Sequence, residues 1–104
     1  MILTTIDRIP GREIREHYGM VTGSTVRAKH FGRDIFASLK NIVGGELRGY
    51  TELMEESRQE AMERMVVMAQ KKGADAVIGI RFATSDVAPG AAEVFAYGTA
   101  VKLG

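Results

Sequence analysis

The feature that most constrains this chain is a segment near its end, residues 92–103, in which side chains alternate between two sides. Such alternation places successive side chains on opposite faces of a β-strand. A sheet with one solvated face normally shows polar residues on that face, but here both sides are small or apolar. One side holds Val94, Ala96, Gly98 and Ala100, and the other holds Phe95, Tyr97, Thr99, Val101 and Leu103. We therefore expect a strand that is covered on both faces.

Three earlier segments also have the composition of strands. Residues 2–4 form a short β-prone run that fits an edge strand, and turn residues through Gly11 follow it. Residues 14–28 alternate as one long strand, although Gly23-Ser24 also fits the turn of a hairpin. Both interpretations remain open from the sequence.

The third segment, residues 75–84, alternates and leads into a turn predicted at 85–90. One side is expected to face the helices and comprises Ile78, Ile80 and Phe82. The other side comprises Val77, Gly79, Arg81 and Ala83.

Two segments have helical periodicity. Apolar residues recur at helical spacing over 33–43, and Gly44-Gly45 follows where a helix C-cap needs positive φ. A longer helix is predicted over 51–72, because Thr51 can cap its start and Lys71-Lys72-Gly73 carries stop signals.

The order strand-strand-helix-helix-strand-strand predicts an α+β fold, in which two helices pack on one face of a mostly antiparallel sheet. Residues 1–104 have the length of one domain. The second sheet face is too apolar to face solvent, so a second copy of the chain is its simplest cover. We therefore predict a homo-oligomer.

Charge and composition exclude several classes of function. The net charge of +1 provides no field that would concentrate nucleic acid or anionic lipid, so nucleic acid is disfavoured as a partner. No apolar stretch approaches the ~18 residues of a membrane span, and we expect a cytoplasmic protein. The chain has no cysteine, which removes disulfides, thiolate metal sites and thiol nucleophiles.

Histidines are then the best metal donors, and there are two, His17 and His30. They are 13 positions apart, which corresponds to about 40 Å along a straight strand. One chain could not bring both to one ion, so a divalent metal site would need a neighbouring subunit. The alternative is that both are surface histidines with ordinary hydrogen bonds.

Short motifs along nearly the whole chain point to one known family. They are Thr4-Thr5, Pro10-Gly11, Gly19 through Val21 to Gly23, Ile42-Val43-Gly44-Gly45-Glu46, Tyr50, Arg58, Gly73-Ala74-Asp75-Ala76-Val77 and Tyr97-Gly98-Thr99-Ala100-Val101. In these motifs the sequence resembles the YbjQ-like family of prokaryotic proteins, which is named for heavy-metal binding. The resemblance implies a dodecin-like subunit in a homo-oligomeric ring, commonly a pentamer or a pair of pentamers. It implies no known activity.

Two pairs of residues are candidates for a ligand or interface site. Arg81 and Tyr97 lie on strands predicted to be neighbours, where Gly79 and Gly98 would leave room for a ligand or another backbone. The alternative there is close subunit packing.

Glu46 forms the second pair with Arg58 or another arginine across a subunit contact. No nucleophile, base and orienting acid assemble convincingly in the sequence. We therefore expect a non-enzymatic oligomer that binds a metal ion or small ligand between subunits. The alternatives are a structural or protein-interaction ring without metal, and a small-molecule enzyme with an interface pocket.

Overall fold

The computed structural model describes residues 1–27, 48–88 and 91–104. The described residues contain four strands and one helix: β1 (Ile2–Leu3), β2 (Ile14–Arg27), α1 (Arg48–Lys71), β3 (Ala76–Ala88) and β4 (Ala91–Leu103). The strands form one sheet in the spatial order β1-β3-β4-β2. The predicted strands at 2–4, 14–28, 75–84 and 92–103 and the helix at 51–72 are therefore present, with shifted ends.

The predicted architecture was wrong in two respects. The sheet is mixed, because β1 pairs in parallel with β3, while β2 and β3 both pair antiparallel to β4. The described residues contain one helix instead of the two expected in the order strand-strand-helix-helix-strand-strand. The helix predicted at 33–43 lies outside the described residues. β1 lies beside β3 at one edge of the sheet, and β2 lies at the other edge beside β4.

The length of β2 and β3 settles two local questions. β2 runs unbroken from Ile14 to Arg27, so the hairpin at Gly23-Ser24 is excluded. The turn predicted at 85–90 was wrong over 85–88, because β3 continues to Ala88 and pairs there with Ala91. The polar residues Ser85 and Asp86 are tolerated in the strand because both are exposed.

Two glycines shift the alternation of β2 and β3. The register with β4 slips between His17 and Gly19 and again between Ile78 and Arg81. Gly19 has φ of 87° and Gly79 has φ of 62°, a left-handed conformation that glycine adopts without strain. Because each bulge adds a residue, side chains on its two sides do not follow a single alternation.

The main core lies between α1 and the sheet. Its members are Val21, Ala61, Met65, Ala69, Val77, Ile80, Ala96 and Ala100. The predicted facing of β3 was therefore wrong at Val77, which packs beneath the helix, and at Ile78, which does not. The bulge at Gly79 explains the error, since an extra residue exchanges the two sides.

Gly23 sets how closely α1 approaches the sheet. A Cβ at this position would lie 2.1 Å from the Ala61 carbonyl oxygen and 2.3 Å from the Met65 amide nitrogen. Both atoms are helix backbone and have no rotamer to change. The Arg64 guanidinium also donates to the adjacent Ser24 carbonyl, so helix and strand are joined by packing and by a hydrogen bond.

The face opposite α1 is called here the open face, and one end of it is covered by residues 4–13. Ile9 packs there against a second buried cluster, which comprises Ala76, Ile78, Val101 and Leu103. Backbone hydrogen bonds fix this segment to the sheet: the Gly79 amide donates to Ile6 O at 2.8 Å and the Ile80 amide donates to Thr4 O at 3.1 Å.

Candidate interaction surface

Beyond the covered end, the open face continues as three rows of side chains across β2, β4 and β3. Directly paired residues of adjacent strands project to the same face, so the register places each row. We call these nine residues the aromatic surface. The rows are Thr22, Tyr97 and Arg81; Ser24, Phe95 and Ala83; and Val26, Glu93 and Ser85. Arg81 and Tyr97 lie on neighbouring strands, as expected, and pair directly. Their role in a ligand or interface site stays a prediction.

Arg81 is exposed, yet its guanidinium is held in place. Nη1 donates to the Thr5 carbonyl at 2.9 Å and to the Ile80 carbonyl at 2.8 Å. Both acceptors are neutral, and no carboxylate of the described residues forms an ion pair with Arg81. The arginine is therefore oriented without losing its charge, which suits it to bind an anion from outside the chain.

Two aromatic rings occupy the centre of the surface. The ring centroids of Phe95 and Tyr97 are 5.8 Å apart, with an angle of 34° between the ring planes. Both residues are half-buried. Aromatic pairs at this separation attract each other, and each ring offers a large rigid area to a partner.

The row of Glu93 completes the surface, and sequence reasoning missed it. Glu93 is half-buried on β4 between Val26 on β2 and Ser85 on β3. Val26 is 53% exposed although it is apolar. The signal in the sequence was a carboxylate that stands on the apolar side of an alternating strand, in line with Phe95 and Tyr97.

The predicted room beside Gly98 is absent. A Cβ there would lie 2.7 Å from Val77 Cγ1 and 2.9 Å from the Ile78 carbonyl oxygen. Gly98 therefore serves close packing within the chain, and Gly79 serves the bulge. Phe95 and Tyr97 lie on the opposite face of β4 from Gly98.

Of the other predicted site residues, the structure describes His17 and Arg58. His17 is exposed on β2 opposite Val101, and Arg58 is exposed on α1. His30 and Glu46 lie outside the described residues, so the pairing of Glu46 with Arg58 and a shared site of His17 and His30 stay predictions.

A hydrogen-bonded tyrosine lies in the β2 bulge. The Tyr18 hydroxyl donates to Glu16 Oε2 at 2.7 Å. This hydrogen bond to the carboxylate raises the pKa of Tyr18, and desolvation and the negative charges of Glu16 and Asp75 raise it further. The phenol therefore stays protonated at neutral pH and acts as a donor.

Acidic side chains line a shallow groove of about 610 Å³ on the solvent side of α1. The lining residues are Glu55, Glu56, Gln59, Glu60 and Glu63. Glu60 is engaged by Arg64, four residues along the helix. These carboxylates are spaced along one helix, and no group of three metal-binding side chains forms in the part of the chain that the structure describes.

Comparisons with known proteins agree with this fold. A crystal structure from Pediococcus pentosaceus, of a protein of unknown function in the DUF74 family, superposes with a TM-score of 0.62. The match covers 100% of this chain and 98% of the other at 21% identity, and so shows a shared fold. The YbjQ family profile, described as "Putative heavy-metal-binding", matches residues 1–104.

Sequence relatives carry one family name. A UPF0145 protein of Hahella chejuensis is 65% identical over 103 residues, which cover 99% of both chains. A UPF0145 protein of Vibrio parahaemolyticus is 60% identical over 103 residues, covering 99% of this chain and 98% of its own. The chain belongs to the UPF0145 family. The predicted resemblance to YbjQ-like proteins is thus confirmed.

The heavy-metal description of the UPF0145 profile can be tested against the donors of this chain. Soft metals prefer thiolate and thioether ligands. The chain has no cysteine, and of its six methionines Met65 is buried in the core and Met62 packs against it. Imidazole is the next suitable donor, but His17 has no cluster of metal-binding side chains around it in the described residues. The described residues of a single UPF0145 chain therefore do not fit a heavy-metal site. Within the described residues there is also no helix long and apolar enough to cross a membrane.

Proposed function

We propose that this UPF0145 protein is a non-enzymatic homo-oligomeric domain, assembled as a pentamer or decamer, that binds its ligand between subunits. The observation that carries the proposal is the aromatic surface. It combines two aromatic rings with the oriented, unneutralised guanidinium of Arg81. Tyrosine and arginine are enriched at the centres of protein interfaces, where they contribute most of the binding energy.

Exposed apolar residues next to this surface support self-association. Met20 is 69% exposed and Val26 is 53% exposed, and both lie on β2. Among the described strands β2 also lies at an edge of the sheet, with no described strand on its outer side. Burial of these groups against a second copy would remove apolar area from water and satisfy an exposed edge.

Light scattering coupled to gel filtration tests the assembly. We expect a particle of five or ten times the chain mass of 11.3 kDa. A monomer at micromolar concentration would contradict the proposal. As part of the same proposal we place the assembly in the cytoplasm, and cell fractionation of the native protein tests that placement.

A metal titration separates a ligand-binding oligomer from a scaffold without metal. Zinc, copper and nickel are titrated by calorimetry into the assembled protein and into the His17→Ala and His30→Ala variants. Saturable binding that either substitution abolishes would support a divalent ion held between subunits. Binding that ignores both substitutions, or no binding, would favour the scaffold, in which the aromatic surface serves assembly alone.

A further inference from the structure

We propose that the aromatic surface is self-complementary and that Arg81 of one copy pairs with Glu93 of a second copy across a two-fold axis. This inference rests on the proposed homo-oligomer and names the contact that holds two of its subunits together. It selects an even-numbered assembly.

The first argument is the charge of Arg81. Carbonyl oxygens of Thr5 and Ile80 orient its guanidinium but leave the positive charge uncompensated. Nη1 is engaged in both bonds, so Nε and Nη2 remain as donors for an acceptor that approaches from the open face. A guanidinium presents such donors in the geometry that a carboxylate accepts.

The second argument is the charge of Glu93. Within the described residues no cation forms an ion pair with its carboxylate, and no hydrogen bond compensates it. It is nevertheless half-buried, with the apolar Val26 beside it. Its direct neighbours in the row, Val26 and Ser85, offer no positive charge, so a cation that packs on this face would meet a carboxylate without a counter-charge.

The two charges cannot neutralise each other within one chain. Arg81 is paired with Tyr97, and Glu93 lies four residues before Tyr97 on β4. Four residues of an extended strand span about 13 Å, which exceeds the reach of an ion pair. Both charges are thus available, and both lie on one patch.

The symmetry follows from the arrangement of the rows. The row of Phe95 lies between the row of Arg81 and the row of Glu93. Consider a two-fold axis that runs along the Phe95 row, between the two facing sheets. It places the Arg81 row of one copy over the Glu93 row of the other, and the Glu93 row over the Arg81 row. Sheets that pack face to face are about 10 Å apart, a distance that these side chains can bridge. The aromatic rings would then fill the centre, with an Arg81–Glu93 pair on each side.

A patch that carries both partners fits a two-fold contact better than a head-to-tail contact, which joins two different patches. The alternative to a second copy on the aromatic surface is a small anionic ligand that binds Arg81. That alternative explains the guanidinium but gives no role to Glu93. The second copy accounts for both charges and for the aromatic rings, so the observations favour it.

Charge reversal tests the pair. The variants are Arg81→Glu, Glu93→Arg and the combination of both, with Lys72→Glu as a control at an exposed position just after α1. Each single reversal places like charges across the axis, and we expect the association constant to fall by about tenfold or more. The double variant restores opposite charges, and we expect association to return to within about threefold of the native value. Lys72→Glu should associate like the native chain.

Mixing gives a second, independent readout. The Arg81→Glu and Glu93→Arg chains carry complementary charges, so an equimolar mixture should assemble where each chain alone does not. Circular dichroism of each variant verifies folding. Arg81→Glu loses the hydrogen bond to Thr5 and could misfold for that reason. In that case the association constants of Glu93→Arg and the conservative Glu93→Gln test the pair, because these substitutions break no described contact.

The outcomes separate the two proposals. A monomeric native chain would overturn the proposed function itself. An assembled native chain that tolerates both reversals, or a double variant no better than the singles, would overturn only the Arg81–Glu93 pair. Saturable binding of inorganic phosphate that Arg81→Glu abolishes, with assembly unaffected by Glu93→Arg, would also overturn it in favour of an anion site.

Discussion

The two ends of the sheet's open face are built from similar residues but have different environments. At the covered end Ile78, Val101 and Leu103 are 8%, 0% and 4% exposed. At the other end Met20 and Val26 are 69% and 53% exposed. Both ends belong to the same strands, so neither β-propensity nor alternation distinguishes them. The difference is whether a segment of the described residues lies over them.

The comparison shows where the cover of the open face comes from. Residues 4–13 reach the covered end through backbone hydrogen bonds to Gly79 and Ile80, and Ile9 supplies the apolar contact. At the aromatic surface the described residues supply no such segment. Exposed apolar side chains such as Met20 and Val26, beside the two aromatic rings, favour an interaction site at this end.

The largest expected effect concerns α1. The comparison between the two ends of the open face assumes that α1 covers the other face of the sheet. Gly23→Ala puts a methyl group against the backbone of Ala61 and Met65, so strand and helix must separate. We expect the free energy of unfolding to fall by about 3 kcal/mol. Urea denaturation measures it. Ser24→Ala on the neighbouring residue is the control, and equal loss in both variants would disprove the close approach.

The second prediction weakens the covered end. Leu103→Ala removes a buried side chain from the cluster around Ile9. We expect the free energy of unfolding to fall by about 2 kcal/mol, which is the lower end of the range for a buried Leu→Ala change. The reason is that the N-terminal segment can move into the space that the side chain leaves. The loss should not depend on protein concentration. Ile6→Ala, at a position that is 48% exposed, should cost far less, and a similar cost for both would contradict the assigned cover.

The third prediction applies the same test to the uncovered end. Val26→Thr keeps the shape of an exposed side chain, so the dissociated monomer should change by less than about 0.5 kcal/mol. The assembled protein should lose more, since the valine would be buried between copies. Unfolding measured at several protein concentrations separates the two effects. Equal losses at all concentrations would show that Val26 is not part of a contact.

The smallest effect concerns the β2 bulge, where residues change faces. Glu16→Gln removes the charge that Tyr18 faces, and the pKa of Tyr18 should fall towards its ordinary value. Because the pKa of Tyr18 is raised in the folded state, the protonated phenol stabilises the folded chain below the ordinary tyrosine pKa of about 10. This stabilisation is lost as the pH rises through the folded-state pKa. Ultraviolet titration measures the shift. An unchanged titration would exclude the Glu16–Tyr18 bond.

The sequence predicted the elements of this fold better than their facing. Periodicity and end signals located the long helix and the strands of the sheet, because those signals are local. The sides of β3 were assigned wrongly at Val77 and Ile78, since a bulge depends on the φ of Gly79 and on its pairing with β4. A glycine within an alternating strand signals such a bulge, but it does not say which residues change sides.

The candidate surface could be predicted in part. The sequence placed Arg81 and Tyr97 on neighbouring strands, and the two residues pair directly in the sheet. The bond from Arg81 to Thr5 joins residues far apart in the chain, so no local pattern announces it. Glu93 was missed because residues 85–90 were predicted to form a turn. Ser85, its partner on β3, was therefore not assigned to a strand.

The topology of the sheet also has a consequence for the order of folding. β3 and β4 are consecutive and can pair as soon as both exist, whereas Ile2 meets Ala76 and His17 meets Val101 across more than seventy residues of chain. Closing such long loops is slow compared with forming a hairpin. During synthesis, which adds about 5–20 residues per second, β1 and β2 emerge first and must wait several seconds for their partners. Their unpaired edges make that interval the period in which the nascent chain is most exposed to chaperones and to aggregation.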